Sequence, residues 1–193
     1  MLSIIPNNRF HFKLPTFQYS NCWIAGGCLR SSLLNETPND IDIFGPDENS
    51  IQNFIDLNLN NAKLIHKSKV LESYILNGLK IQVVKRKYYN SIEECLTGFD
   101  YTICQFAFDG VTYFSTPEAV IDTYAHKLVI NKLDKDFVID SLRRMTKYIK
   151  YGFTICDGGL KNIVESIRSL KDEEVKNQIE FYPNGGPRIN RFD

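Results

Sequence analysis

The 193-residue chain carries no excess of either charge. Its 23 Lys and Arg offset 23 Asp and Glu, for a formal net charge of 0. That balance removes the overall electrostatic case for a nucleic-acid-binding protein and leaves room only for a local patch. No apolar run approaches the roughly 20 residues that span a bilayer. The first ten residues, M-L-S-I-I-P-N-N-R-F, lack the charged start and long apolar segment of a signal peptide. The five cysteines, Cys22, Cys28, Cys95, Cys104 and Cys156, are scattered, odd in number and free of any Cys-x-x-Cys pair, and the three histidines do not cluster with them. This argues against zinc and against a disulfide framework, and for buried thiols in a cytoplasmic protein, the host cytoplasm if the source is viral. No internal repeat or low-complexity tract is present. A hydrophobic fraction of 43% and a charged fraction of 24% are those of an ordinary globular protein with apolar mass for a real core.

The stretch that organises the chain is Trp23 to Phe44, W-I-A-G-G-C-L-R-S-S-L-L-N-E-T-P-N-D-I-D-I-F. An apolar run leads into Gly26-Gly27, a short helix from Cys28 to Leu34, a polar loop, and Asp40-Ile41-Asp42-Ile43-Phe44. Side chains on a strand alternate faces, so Asp40 and Asp42 point one way while Ile41 and Ile43 point to the core. Two carboxylates side by side repel, and a hard divalent cation with oxygen ligands, most simply Mg²⁺, relieves that. Glycines without Cβ atoms let the backbone turn sharply and approach a phosphate, and the following helix offers N–H groups to an anion.

Downstream, Gly45-Pro46-Asp47 makes a turn and a helix is expected over Asp47 to Leu59. Ala62 to Val70 reads as a strand. Asn77-Gly78 joins two more strands as a hairpin, the second holding Leu79, Ile81 and Val83 on one face. A loop and short helix follow over Tyr88 to Leu96. Phe99 to Phe108 reads as a strand, turned at Asp109-Gly110. Thr116-Pro117 opens a helix expected to reach about Ile130, and another covers Phe137 to Tyr151, with Phe137, Leu142, Met145, Tyr148 and Ile149 as its buried stripe. Asp157-Gly158-Gly159 reads as a break before a last helix over Leu160 to Leu170, and Lys171 to Asp193 as a surface tail. At the other end, the alternation of Phe10, Phe12 and Leu14 suits a short strand or an arm laid on the domain. His126, without a partner at ligand spacing, reads as a surface or core-edge residue. The fold class expected is α+β: a mixed, mostly antiparallel sheet flanked by helices, with a small C-terminal helical cap. Residues 1–116 form the catalytic-type domain, 117–170 a helical neck and 171–193 the tail.

Gly-Gly-x-x-Arg, a short apolar helix, then Asp-x-Asp in an apolar strand resembles the nucleotidyltransferase superfamily, and within it the tRNA CCA-adding enzymes and bacterial poly(A) polymerases. The resemblance runs over roughly Asn21 to Phe153. It implies that Asp40 and Asp42 are catalytic and hold Mg²⁺, and that Gly26, Gly27 and Arg30 bind the nucleotide's phosphates. Phe99-Asp100-Tyr101-Thr102 resembles the family's Arg-Arg-Asp-Phe-Thr segment, which implies ribose contact by Asp100; Gly98 and Phe99 stand where the family has two arginines. Asp140 and Arg143 match the Asp and Arg of the family's Glu-Asp-x-x-Arg helix, which implies contact with the base edge, with Ile139 and Thr146 as departures. Ser31 stands where the family has Asp, and the strand that often carries a third carboxylate has Gln82 instead. The family's long helical body does not fit in the forty residues after Phe153, so tRNA binding in the family's manner and CCA addition are not expected.

Two function classes follow. One is Mg²⁺-dependent transfer of NMP from an NTP to an acceptor hydroxyl on an RNA end or a protein. The other is a module of viral or mobile-element origin that keeps this fold for binding or structure after catalysis has been lost.

Overall fold

The structure, a computed structural model, describes residues 2–180. The chain divides into two compact units, Met1–Lys132 and a second that begins at Leu133.

The first unit is built on an eight-stranded sheet. Its strands are β1 (Ser3–Ile5), β2 (Trp23–Ala25), β3 (Ile41–Phe44), β4 (Lys63–Lys67), β5 (Leu71–Leu76), β6 (Leu79–Val84), β7 (Phe106–Phe108) and β8 (Tyr113–Ser115), in the spatial order β1-β8-β7-β2-β3-β6-β5-β4. Every neighbouring pair is antiparallel except β3 and β6. Parallel neighbours need a crossover. Here the chain leaves β3 through helix α2 (Glu48–Asn58), lays β4 at the far edge, and returns through β5 to fill the gap with β6. The sheet is thus mixed and mostly antiparallel, as expected.

Local chemistry explains most elements. Asp47 caps α2 by accepting from the Ser50 N–H at 2.7 Å. Asn77 and Gly78 both take positive φ, 50° and 81°, as a type I′ hairpin turn requires. Ser91 caps α3 (Ile92–Thr97), and Thr116 with Pro117 starts α4 (Pro117–Tyr124). The strict alternation of β2 and β3 splits the core. Ile24, Ile41, Ile43, Ile81 and Val83 pack with Leu29 and Leu33 of α1 (Gly27–Leu33) and with Ile51, Phe54 and Ile55 of α2. Trp23, Ala25, Phe44 and Ala107 pack with Cys95 and Leu96 of α3.

Tertiary contacts override the sequence pattern in several places. Of the two readings of Phe10 to Leu14, the structure has the arm laid on the domain and not the strand: Phe10 stacks on Tyr113 with ring centroids 3.9 Å apart, and the Phe12 N–H donates to Ser32 Oγ at 2.8 Å. The strand expected from Phe99 is broken by a 3₁₀ turn at Thr102–Cys104. Side chains hold that turn: Thr102 Oγ1 donates to Asp122 at 2.7 Å, and the Gln105 amide spans the Leu96 carbonyl and Thr116 Oγ1. Helix α4 stops at Tyr124, six residues short of expectation. His126 turns left-handed (φ 52°), and the chain beyond it pairs back, the Thr102 N–H donating to the Val129 carbonyl and Tyr101 bridging Ile130.

The second unit holds α5 (Val138–Lys150), α6 (Asp157–Arg168) and α7 (Asp172–Glu180). Met145 and Tyr148 of α5 are buried as expected, but Ile149 is exposed and the inward side is shared with Val138, Ile139, Asp140 and Ser141. Asp157-Gly158-Gly159 is the first turn of α6, not a break, with Gly159 buried. The expected tail begins as helix α7, tied in by Gln178, which accepts from the Ile139 N–H and donates to the Lys135 carbonyl. The Pro183 to Pro187 stretch lies outside the described residues. No helix among the described residues is long and apolar enough to cross a membrane.

Two predictions follow from burial. Cys22, Cys28, Cys95 and Cys104 are buried and Cys156 is exposed. Burial pushes the Cys22 and Cys95 thiols up to about 12. The native protein is therefore expected to give one rapid equivalent with Ellman's reagent, lost in Cys156→Ser; a second fast thiol contradicts this packing. On β5, Glu72 is 2% exposed and receives hydrogen bonds from Lys85 at 2.7 Å, from the Tyr74 hydroxyl and from Lys67 at 3.2 Å. Burial alone would raise its pKa, but those three donors hold it below the ordinary 4.5. A depressed folded-state value means that the stabilisation is complete above the unfolded-state pKa and fades as pH falls through the folded one. Urea titrations across the acid range should show Glu72→Gln less stable than the parent at neutral pH and flatter on acidification; parallel curves would remove Glu72 from the acid response.

Candidate active site

The acid pair sits where β2, β3 and β6 meet. Ala25 pairs with Asp42 across β2 and β3, Asp42 pairs with Gln82 across β3 and β6, and Gln82 pairs with Ser73 on β5. Paired residues share a face, so Asp42, Gln82 and Ser73 form one row on the side opposite Ile41, Ile43 and Ile81. Asp40 lies just before β3, two residues from Asp42, and both acids are partly open to solvent. They do point the same way. With its carboxamide nitrogen inward, Gln82 donates to Asp42 Oδ1 at 3.0 Å and to Asp40 Oδ2 at 3.1 Å, while its oxygen accepts from Lys80 Nζ at 3.2 Å.

That arrangement answers a real electrostatic cost. Two unit charges 4 Å apart repel by about 1 kcal/mol in water and about 4 kcal/mol at an effective dielectric of 20. One N–H₂ group, its dipole strengthened by Lys80 behind it, bonds to both carboxylates. The same field reaches Cys28 beneath: burial first, then Asp42 and Asp40, pushes its thiol pKa up and keeps it neutral.

The glycine bend adjoins the pair. Gly26 has φ +100°, outside what L side chains adopt without strain, and a Cβ there would stand 3.8 Å from Asp42 Oδ2 and 3.7 Å from the Phe99 ring. Its N–H donates to the Phe106 carbonyl. Arg30 is 3% exposed and folds back along α1, its guanidinium 3.4 Å from where a Gly27 Cβ would be, with Nη2 donating to Ser31 Oγ at 3.4 Å. Gly26 thus lies beside Asp42, and Arg30 beside Gly27. Asp100 follows Phe99; its carbonyl accepts from the Asn131 and Lys132 N–H groups, and the Asn131 side chain donates to the Thr97 and Phe99 carbonyls, fixing this loop. In the second unit, Asp140 and Arg143 pair at 3.1 Å one turn apart, and Arg143 Nη2 also donates to the Ile179 carbonyl at 3.4 Å, so the guanidinium links α5 to α7.

Among the described residues, no three His, Cys, Asp or Glu side chains come together as a metal cluster. The donors at the acid pair still suit a hard cation: two carboxylates facing one way, and a carboxamide that presents oxygen when turned. Sequence reasoning located Gln82 only as a missing acid. Its bridging amide and the help of Lys80 went unread, although Lys80-x-Gln82 on one strand face was the available signal.

Comparisons with known proteins agree with this geometry at the level of fold and add a family. The chain is similar to a CCA-adding enzyme in complex with CTP, with a TM-score of 0.59 and 19% identity over 86% of this chain and 43% of that one. It is also similar to the Thermotoga maritima CCA-adding enzyme bound to tRNA, with a TM-score of 0.55 and 20% identity over 82% and 42%. These likenesses show the nucleotidyltransferase-like fold. "Gabija anti-defense 2" of Bacillus phage SPbetaL7 is 29% identical over 161 residues, 81% of this chain, and the chain spans 40% of that relative's length. The model of the Gabija anti-defense 2 family matches residues 4–127, which include strands β2 to β8 and the acid pair, and the chain belongs to that family.

Proposed function

We propose that this chain is a Mg²⁺-dependent nucleotidyltransferase with an anti-defence role, moving NMP from an NTP to an acceptor hydroxyl on a protein or RNA end of the host's defence machinery. The observation that carries the reading is the pair Asp40 and Asp42, turned together within reach of a single nitrogen beside the Gly26 bend. The fold shared with CTP- and ATP-bound CCA-adding enzymes supports it, as does the family's description as anti-defence.

Asp40 and Asp42, with the oxygen of Gln82, are the groups that would hold Mg²⁺. When bound, that ion supplies neutralisation of the polyphosphate and Lewis-acid activation of an acceptor hydroxyl. The backbone at Gly26 and Gly27, which carries no side chain of its own, would receive the β- and γ-phosphates. Arg30, fixed against Gly27, would add positive charge to that bend, and Asp100 would orient the ribose by accepting from its hydroxyl.

A second reading rests on Gln82. An amide in place of an acid, with Lys80 behind it, lowers the negative charge that a cation needs, and it fits a module that binds a nucleotide without turning it over. One experiment separates the two. Asp40→Asn with Asp42→Asn should abolish transfer of label from α-³²P-NTP into host lysate components, by at least about a hundredfold, and should abolish protection of phage from a host carrying the Gabija defence. Undiminished labelling by the double variant removes the acid pair from the chemistry. No labelling by the parent, together with an NTP-dependent rise in melting temperature, selects the binding module.

A further inference from the structure

The sheet has two edges, and they differ. β1 is three residues long, and a short edge strand is a poor template for pairing. β4 is five residues long and exposed at every one, and no strand lies beyond it among the described residues. Its outer side therefore carries main-chain N–H and C=O groups without a ladder partner. The register with β5 shifts between Leu64 and His66, which leaves Ile65 as the extra residue of a bulge. Leu64 and Ile65 are 46% and 47% exposed.

The charge around this edge has one sign. The whole chain is balanced, yet residues 63–87 hold seven Lys and Arg against one acid, Glu72. Glu72 is buried and already bonded by Lys85 and Lys67. Lys63, His66, Lys67 and Lys69 are all exposed, on β4 or just after it. Like charges directly opposite each other destabilise a strand pair. Two copies of β4 paired antiparallel about Ile65 would set Lys63 of one against Lys67 of the other, so a second copy is repelled. A strand with carboxylates in those places is attracted, and the same charges choose between the two. The edge also fits a peptide better than single-stranded nucleic acid. No Phe, Tyr or Trp stands between Lys63 and Lys69 to stack a base, whereas an open ladder and an apolar pair are what an extended peptide uses.

We propose that β4 is the docking edge for an acidic, extended segment of a partner protein, added to the eight-stranded sheet as a further strand. Main-chain hydrogen bonds to β4 hold it, Leu64 and Ile65 receive its apolar side chains, and the lysines select its carboxylates. The place on the sheet suits the site described above. His66 pairs with Ser73, so the row Asp42, Gln82, Ser73 continues to this edge. A strand added there stands four strand spacings from Asp42, about 19 Å. Roughly six extended residues beyond it would reach the acid pair. Docking itself does not depend on nucleotidyl transfer.

The test uses the full chain and a fluorescein-labelled peptide of alternating Glu and Val, followed by anisotropy and by hydrogen exchange. Two peptides of the same length are controls: alternating Lys and Val, and alternating Glu and Pro, which keeps the charge but removes half of the N–H donors. Oligo(U) of equal length is the nucleic-acid arm. The Glu-Val peptide should bind and slow amide exchange at residues 63–67, with the Lys-Val peptide inert and the Glu-Pro peptide about tenfold weaker. Lys63→Glu with Lys69→Glu should weaken the Glu-Val peptide about tenfold and admit the Lys-Val peptide. The exchange measurement on the parent stands even if this variant misfolds. Glu-Val binding should persist in the Asp40→Asn, Asp42→Asn variant, so docking and the transfer proposed above fail separately. The proposal is overturned by no binding of the Glu-Val peptide, or by equal binding of the Glu-Val and Glu-Pro peptides with exchange at 63–67 unchanged, which is charge attraction alone. Tighter binding of oligo(U) than of the Glu-Val peptide overturns it in favour of nucleic acid. Self-association that slows exchange at 63–67 without any peptide gives the edge to a second copy.

Discussion

Two carboxylates that leave one strand in the same direction repel, and this repulsion is the constraint around which the first unit is arranged. Asp42 lies in β3 between β2 and β6, so neither its backbone nor its neighbours can drift to relieve the strain. Relief comes from the next strand. The parallel β3–β6 register puts the Gln82 carboxamide opposite Asp42 and within reach of Asp40, and Lys80 polarises it from behind. Had β6 slipped by one residue, Ile81 or Val83 would face the acids and the amide would point into the core.

The core on the other face makes that register costly to change. Ile41, Ile43, Ile81 and Val83 are at most 1% exposed and interlock with α1 and α2. Burying four such side chains contributes about 1.5–3 kcal/mol each. The apolar face therefore enforces the geometry of the polar face, and the acids stay together because the isoleucines beneath them are packed. The glycine bend is fixed by the same sheet. Gly26 follows β2, its N–H is held by the Phe106 carbonyl, and its φ of +100° is one that L side chains rarely adopt.

The chain shares its sheet with CCA-adding enzymes while departing from them at charged positions. By the resemblance in its sequence, Gly98 and Phe99 stand where those enzymes have two arginines, Ser31 where they have an acid, and Gln82 on the strand that often carries another. Asp40 and Asp42 stand together on this frame, and the function proposed above rests on that pair.

Much of this was legible in the sequence, for a local reason. Period-2 alternation in Ile41 to Phe44 and Leu79 to Val84, the Asn77-Gly78 turn, and the caps at Asp47 and Thr116 act within a few residues, so they marked strands, hairpin and helix starts, and they put Asp40 and Asp42 on one side. What the sequence could not decide was anything set by a distant partner. The 3₁₀ turn at Thr102–Cys104 exists because Asp122, Leu96 and Thr116 reach it, α4 ends early because Val129 and Ile130 pair back on the 101–102 segment, and Phe10 to Phe12 settle as an arm and not a strand because Tyr113 and Ser32 receive them. The role of Gln82 belongs to the same class. Its residue type was plain, but only the pairing of β6 beside β3 turned a missing acid into an amide bonded to both aspartates, because hydrogen bonds across a sheet depend on register, and register is a property of the folded chain.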